Sequence, residues 1–184
     1  MKALSRKFVI LLTFIIPGLL ISCNSTESMR KSIEKQFADM SDAYLKGNIP
    51  AYVDFMYPKI IERAGGRDST IKLIQLLVHT LNSTGRQIKS INYGNISEIL
   101  KAGKELHCIV TQTIEMSRPD GTDIIETSVL AVSADKGKTW KFLDVSGANI
   151  KTLKDIFPNF NNKLQIPEKK SPTFIPNNMQ KNSN

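Results

Sequence analysis

The chain has 184 residues, 41% apolar and 23% charged, with a formal charge of +8 at pH 7, which suits one domain with its own hydrophobic core. Lys2, Arg6 and Lys7 supply three of those charges, and Lys169, Lys170 and Lys181 against Glu168 supply two more. The +3 left on the body is interspersed, unlike the clustered basic face of a nucleic-acid binder. Two histidines and two cysteines form no zinc-spaced set, and no P-loop, dinucleotide fingerprint or Gly-x-Ser-x-Gly elbow occurs, so no metal, cofactor or nucleic acid is expected.

Residues 8–21 are almost wholly apolar, follow a basic segment, and end at small Ser22 before Cys23. A bilayer span needs about 20 apolar residues. This run is shorter and contains Pro17-Gly18, so it reads as the apolar region of a secretory signal rather than as a span. The ending Leu20-Ile21-Ser22-Cys23 resembles the lipobox of bacterial lipoproteins. That resemblance implies removal of residues 1–22, diacylglycerol on the Cys23 thiol and acylation of the new N-terminus. Two or more acyl chains hold a protein firmly on a membrane, where one does not. Asn24, in place of the aspartate that retains such proteins at the inner membrane, points to the outer membrane with the domain facing the periplasm. Cys108 then has no disulfide partner and, in an alternating apolar run, reads as a small buried hydrophobe.

Residues 23–28 are polar and read as a lipidated tether, followed by one domain over 29–157. Met29, Ile33, Phe37, Met40 and Tyr44 recur at helical spacing, and Gly47 suits the left-handed residue that ends a helix. Asn48 and Pro50 predict the cap and first turn of a second, short helix carrying Val53, Phe55 and Met56. A further turn over 59–64 stops at Gly65-Gly66. Asp68 or Ser69 can cap a third helix whose stripe is Ile71, Ile74, Leu77, Val78 and Leu81, closed by Gly85.

After Gly85 the pattern changes to strands. Residues 86–93 alternate loosely, with Ile88, Ser90 and Asn92 against Lys89, Ile91 and Tyr93, and 96–100 reads as a second short strand. In 105–117, Leu106, Cys108, Val110, Ile114 and Met116 share one face, and His107, Thr111, Thr113 and Glu115 the other. Arg118-Pro119-Asp120-Gly121 predicts a tight turn into a partner strand over 123–133. A last strand spans 139–145, and 149–157 reads as a closing helix. Short loops between the strands imply antiparallel pairing. Residues 158–184 carry Pro167, Pro172 and Pro176 among asparagines and lysines, and are expected to be a disordered tail.

Helices followed by antiparallel strands give an α+β fold with N-terminal helices packed on a curved antiparallel sheet. The opening pattern Phe37-x6-Tyr44-x2-Gly47-Asn48, then Tyr57-Pro58-Lys59 and Ala64-Gly65-Gly66, resembles the nuclear transport factor two-like superfamily, with its ketosteroid isomerase-like members. The resemblance covers about 28–147 and implies a cone-shaped sheet around the first helix, enclosing an apolar pocket. Ser133-x-Asp135-x-Gly137-x-Thr139-Trp140 also resembles the Asp-box turn of sialidase-type propellers. A single copy in so short a chain implies the turn chemistry alone.

Catalytic members of the superfamily place an Asp or His base and a Tyr or Asp donor in the cone. The residue types available here are Asp54, Tyr44, Tyr57, His79 and His107, and none matches a catalytic motif. Asp54 reads as a surface carboxylate, His79 as an exposed or rim residue, His107 as part of a polar strand face. Gln112 interrupts the apolar face between Val110 and Ile114, so it must find a partner, either a core hydrogen bond or a ligand. The expected pocket residues are Tyr44, Tyr57 and Gln112, and no catalytic residue is assigned. The leading expectation is a lipid-anchored, non-enzymatic binding or accessory module of the cell envelope. It would serve a small apolar ligand, an envelope protein or a second copy of itself. A small isomerase or dehydratase using an acid–base pair in the cone is the alternative.

Overall fold

The computed structural model describes residues 20–180, with side chains from 25 to 178. The removable segment expected over 1–22 lies outside the described residues up to residue 19.

Helix α1 (Leu20–Leu45) leads into α2 (Ile49–Asp54), α3 (Pro58–Arg63) and α4 (Arg67–Ser83). Helix α1 starts well before Met29, so residues 23–28 are a helical extension rather than the expected tether. Gly47 takes φ +71° at the end of α1, and Asn48 caps α2 by accepting a hydrogen bond from the Ala51 N–H at 3.3 Å. The cap of α4 falls on Gly66 rather than on Asp68 or Ser69. Its expected stripe packs only in part. Ile71, Ile74, Val78 and Leu81 are half-buried, whereas Leu77 is 55% exposed beside Leu73 and Leu76.

Strands β1 (Gln87–Ile96), β2 (Leu100–Ala102), β3 (Glu105–Arg118), β4 (Gly121–Ser133) and β5 (Lys141–Asp144) follow, then α5 (Ile150–Ile156), β6 (Thr173–Pro176) and α6 (Asn177–Gln180). The strands form one curved antiparallel sheet built on the long β3–β4 hairpin. Strands β1 and β2 line the free edge of β3, while β5 and β6 line that of β4. Register shifts after Ile88 and after Tyr93 reset the alternation of β1. Ile88, Ile91, Tyr93 and Ile96 therefore all pair with residues of the same face of β3, where strict alternation had split Ile88 from Ile91 and Tyr93.

That face packs on α1. Ile33, Phe37 and Met40 meet Cys108, Val110, Val129, Ala131, Trp140 and Phe142, with the Phe37 ring edge-on to Phe142 at 5.4 Å. Cys108 is fully buried there, and burial pushes its thiol up to about 12. The turn before β5 is fastened as its motif implies. Asp135 Oδ1 accepts from the Thr139 and Lys138 amides at 2.9 and 3.1 Å and from Ser133 Oγ at 2.8 Å. The buried Trp140 indole donates to the Gly137 carbonyl at 3.1 Å, and its amide donates to Gln36 of α1 at 2.9 Å.

The opposite face carries a second core, and here the structure departs most from the expected disordered tail. Val145, Leu153, Ile156, Phe157, Phe160 and Leu164 cover Ile109, Leu130 and Val132 of the sheet. Residues 173–176 then pair with Ile124–Gly121 of β4. Arg118 stacks 4.6 Å over the Phe174 ring, and Lys170 pairs with Glu126. Leu153, Ile156, Phe157, Phe160 and Leu164 keep helical spacing, but α5 ends before Pro158, so Phe160 and Leu164 reach the sheet from beyond the helix. They dock one at a time on a surface the hairpin has already built.

Candidate functional site

Between the C-terminal half of α1, α2 and the sheet lies a cavity of about 270 Å³. Met40, Met56, Ile91 and Ile114 make its apolar wall, and Tyr44, Tyr52 and Gln112 add the polar groups. Local folding explains the gathering. Gly47 and the Asn48 cap turn α2 back beside the end of α1, so the Tyr44 and Tyr52 rings meet edge-on at 5.3 Å and 67°. Tyr93, the register partner of Gln112, closes on Phe37 at 6.1 Å.

Gln112 is only 9% exposed, and neither its amide nor the hydroxyl of Tyr44 or Tyr52 is hydrogen-bonded to another described residue. Of these groups only Thr127, the register partner of Gln112 on β4, has a hydroxyl both buried and without a partner; the Gln112 amide and the two phenol oxygens are reached by solvent from the cavity. A buried amide or hydroxyl left unpaired costs about 1–3 kcal/mol, so such groups are normally satisfied. Burial, with Tyr44 and Asp144 adding to it, pushes the Tyr52 phenol up to about 12, and burial raises Tyr44. Both phenols are neutral near pH 7 and act as hydrogen-bond donors or acceptors, not as bases. Asp144 stands exposed at the edge of the cavity, where its carboxylate accepts the Ser146 amide at 2.8 Å.

The sequence expectation thus places two of its three pocket residues together. Tyr57 is elsewhere. It lies in the core on the other side of the sheet, its ring 4.6 Å from Phe157 and its hydroxyl donating to Glu105 Oε1 at 3.3 Å. Burial and the neighbouring Glu105 carboxylate push Tyr57 up to about 12. The proline after it starts α3, which turns the ring away from α1.

His107 also differs from its expected polar face. It is fully buried, with Nε2 3.0 Å from Glu105 Oε2, its ring against Phe157 and Phe160, and Nδ1 without a partner. The tail that covers this face makes a nominally polar position a core position, and burial lowers the His107 pKa, partly offset by Glu105. Asp54 is exposed and accepts from Arg67 Nε at 2.9 Å, and His79 is exposed on α4. Neither histidine nor Asp54 reaches the cavity beside α1.

Sequence reasoning missed Tyr52, Met56 and Asp144. The cap at Asn48 held the signal for Tyr52, since it fixes the direction in which α2 returns. Among the described residues no group of three or more His, Cys, Asp or Glu side chains could hold a metal ion, and no helix is long and apolar enough to cross a membrane. Neither a protein-family model, nor a curated protein, nor a solved structure matches this chain.

Proposed function

We propose that the chain is a lipid-anchored binding protein of the bacterial envelope, held at Cys23, whose domain takes a small, largely apolar ligand between α1 and the sheet. The carrying observation is the cavity itself. Its apolar wall surrounds the nearly buried Gln112 amide and two tyrosine hydroxyls, none satisfied by another described residue. Ligand sites commonly combine such walls with a few polar groups that fix orientation, and about 270 Å³ lies just below their usual range, which suits a small ligand. A ligand with an apolar body and one carbonyl, hydroxyl or ether group satisfies both features. The nuclear transport factor two-like fold accords with a helix held against a curved sheet, and belongs to the same proposal.

The isomerase-like alternative needs an acid–base pair in this cavity; of its candidates Asp54, Tyr57, His79 and His107 lie outside it, Tyr44 lines it as a neutral phenol, and Asp144 at its edge is exposed and accepts the Ser146 amide. Binding is therefore the reading the geometry supports best. Two measurements test it. A mass beginning at acylated Cys23 is expected for the mature protein, and Cys23→Ser is expected to leave an unlipidated precursor; a normal lipid-modified mass in that variant would overturn the anchor. For the cavity, Gln112→Leu is expected to leave the melting temperature of the ligand-free protein nearly unchanged, because the amide bonds no other described residue and is reached by solvent. A loss of several degrees would mean that Gln112 serves the core and not a ligand.

A further inference from the structure

A larger cleft, of about 750 Å³, opens at the opposite end of α1, between its Ser25–Ser32 stretch, the β2–β3 turn and the β4–β5 turn. Four lysines stand around it: Lys101 and Lys104 from the first turn region, Lys136 and Lys138 from the second. All four are exposed, and none forms an ion pair or a side-chain hydrogen bond with another described residue. The acids nearby are already engaged. Glu105 holds Tyr57 and His107, Asp135 is bound into its own turn, and Glu27 pairs with Lys31 at 3.6 Å. Lys136 takes φ +64°, the only positive φ outside glycine among the described residues, a conformation disfavoured for a residue with a Cβ.

Ser25 and Ser28 line the cleft and follow Cys23 on the same helix. At about 1.5 Å per residue they lie within about 8 Å of Cys23 along the axis. Four unpaired ammonium groups thus gather at the pole of the domain from which acyl chains on Cys23 would leave. Tyr44, at the ligand cavity, is about 30 Å further along the same helix.

We infer that the cleft walled by Lys101, Lys104, Lys136 and Lys138 is a contact face for anionic phospholipid headgroups, and seats the domain on the bilayer that Cys23 enters. The inference rests on the proposed anchor. The lipid phosphate supplies the counter-charge that the protein does not, and each lysine near an anionic leaflet favours membrane contact by about fivefold. The attraction is screened by salt. In this seating the cavity beside Tyr44 and Gln112 faces away from the membrane.

The test uses the full-length protein, extracted from its own membranes and reconstituted into phosphatidylcholine vesicles with or without phosphatidylglycerol. Brief treatment with an amine-acylating reagent is read lysine by lysine from peptide masses. The expected result is a severalfold loss of reactivity at Lys101, Lys104, Lys136 and Lys138 only on the anionic vesicles, reversed by salt, with Lys89 and Lys154 unchanged. Lys31, on the Ser25–Ser32 stretch beside the cleft, is expected to share that loss in the wild type, and replacing the four lysines by glutamine, a change confined to exposed side chains, is expected to make it equally reactive on both vesicle types. Equal reactivity of the four lysines on both vesicles overturns the proposal. So does equal protection by soluble glycerol phosphate without vesicles, which would make the cleft a site for a free phosphate. The intact mass of the same sample separates the two readings. An acylated chain without protection overturns the cleft alone, and protection of a chain lacking acyl mass supports the cleft while removing the anchor.

Discussion

Phe160→Ala probes the segment that composition alone would leave unfolded. Phe160 is 5% exposed, packed among Phe157, Leu164 and the His107 ring, whose centroid is 6.0 Å away. Truncating a buried phenylalanine to alanine costs about 3–5 kcal/mol when the surroundings cannot collapse. Here the loss is limited by how firmly the segment docks. Beyond Phe157 it is held by Phe160, Leu164, the half-buried Ile166, the Asn161–Lys101 carbonyl hydrogen bond at 3.0 Å and the short strand β6. Such a segment can open without unfolding the hairpin, so the global cost is expected near 2 kcal/mol, at or below the low end of the core range. Urea unfolding followed through Trp140 reads the global term. Limited proteolysis between residues 158 and 172 reads the local opening, and is expected to accelerate by tenfold or more, since about 1.4 kcal/mol is tenfold in the open population. A stability change below about 0.5 kcal/mol with unaltered proteolysis would refute the docked segment, because surface substitutions away from such packing stay within that margin.

Further predictions concern the turn, the buried histidine and the last strand. Asp135→Ala removes a carboxylate that accepts two backbone amides and two hydroxyls, and is expected to destabilise by about 2 kcal/mol after allowance for its exposure to solvent, measured by chemical denaturation at pH 7. Those hydrogen bonds lower Asp135 from 3.8 to about 2, so its contribution is present above pH 3.8 and fades as pH falls towards 2. The stability gap between wild type and Asp135→Asn should shrink across that window, and a constant gap would exclude the charge as the cause. His107 is lowered from 6.5 by burial, so its neutral form stabilises the fold above pH 6.5 and is lost as pH falls from there towards the folded value. His107→Phe should flatten stability against pH below 6.5; an unchanged slope would place the titration elsewhere. A Cβ on Gly121 would collide with the Ile175 carbonyl oxygen and the Phe174 ring, so Gly121→Ala should speed amide exchange at residues 173–176 and leave 125–132 protected. Unchanged exchange at 173–176 would deny the close approach of β6.

The parts of the fold legible in the sequence are those fixed by local chemistry. The stripe from Met29 to Tyr44, the cap at Asn48, the turn at Pro119-Asp120 and the Asp135 box act over a few residues, and each stands where its pattern puts it. The face of β3 was legible because its thirteen residues from Leu106 to Arg118 pair with β4 without a register shift, which keeps the two faces apart along the whole strand. In β1 two register shifts broke that alternation, and nothing local announces a bulge there. Positions such as His107, Tyr57 and Phe160 were illegible for a different reason. His107 and Tyr57 are buried by a segment about fifty or more residues on, and Phe160 by the sheet to which that segment returns, contacts that local propensity does not encode. The site divides the same way: Gln112 stood out as a polar break in an apolar face, whereas Tyr52 joined it only through the direction of a turn.

If the space between α1 and the sheet holds a small molecule in a lipid-anchored protein, that molecule should leave the membrane with the acylated chain. Native mass spectrometry of the full-length protein, gently extracted from its own membranes, tests it most directly beside an Ile91→Trp variant that fills the cavity. The wild type is expected to show a mass beginning at acylated Cys23 and carrying a compound of a few hundred daltons, with the compound absent from the variant. An acylated protein that carries no compound, or a compound retained equally by Ile91→Trp, would contradict binding in this space.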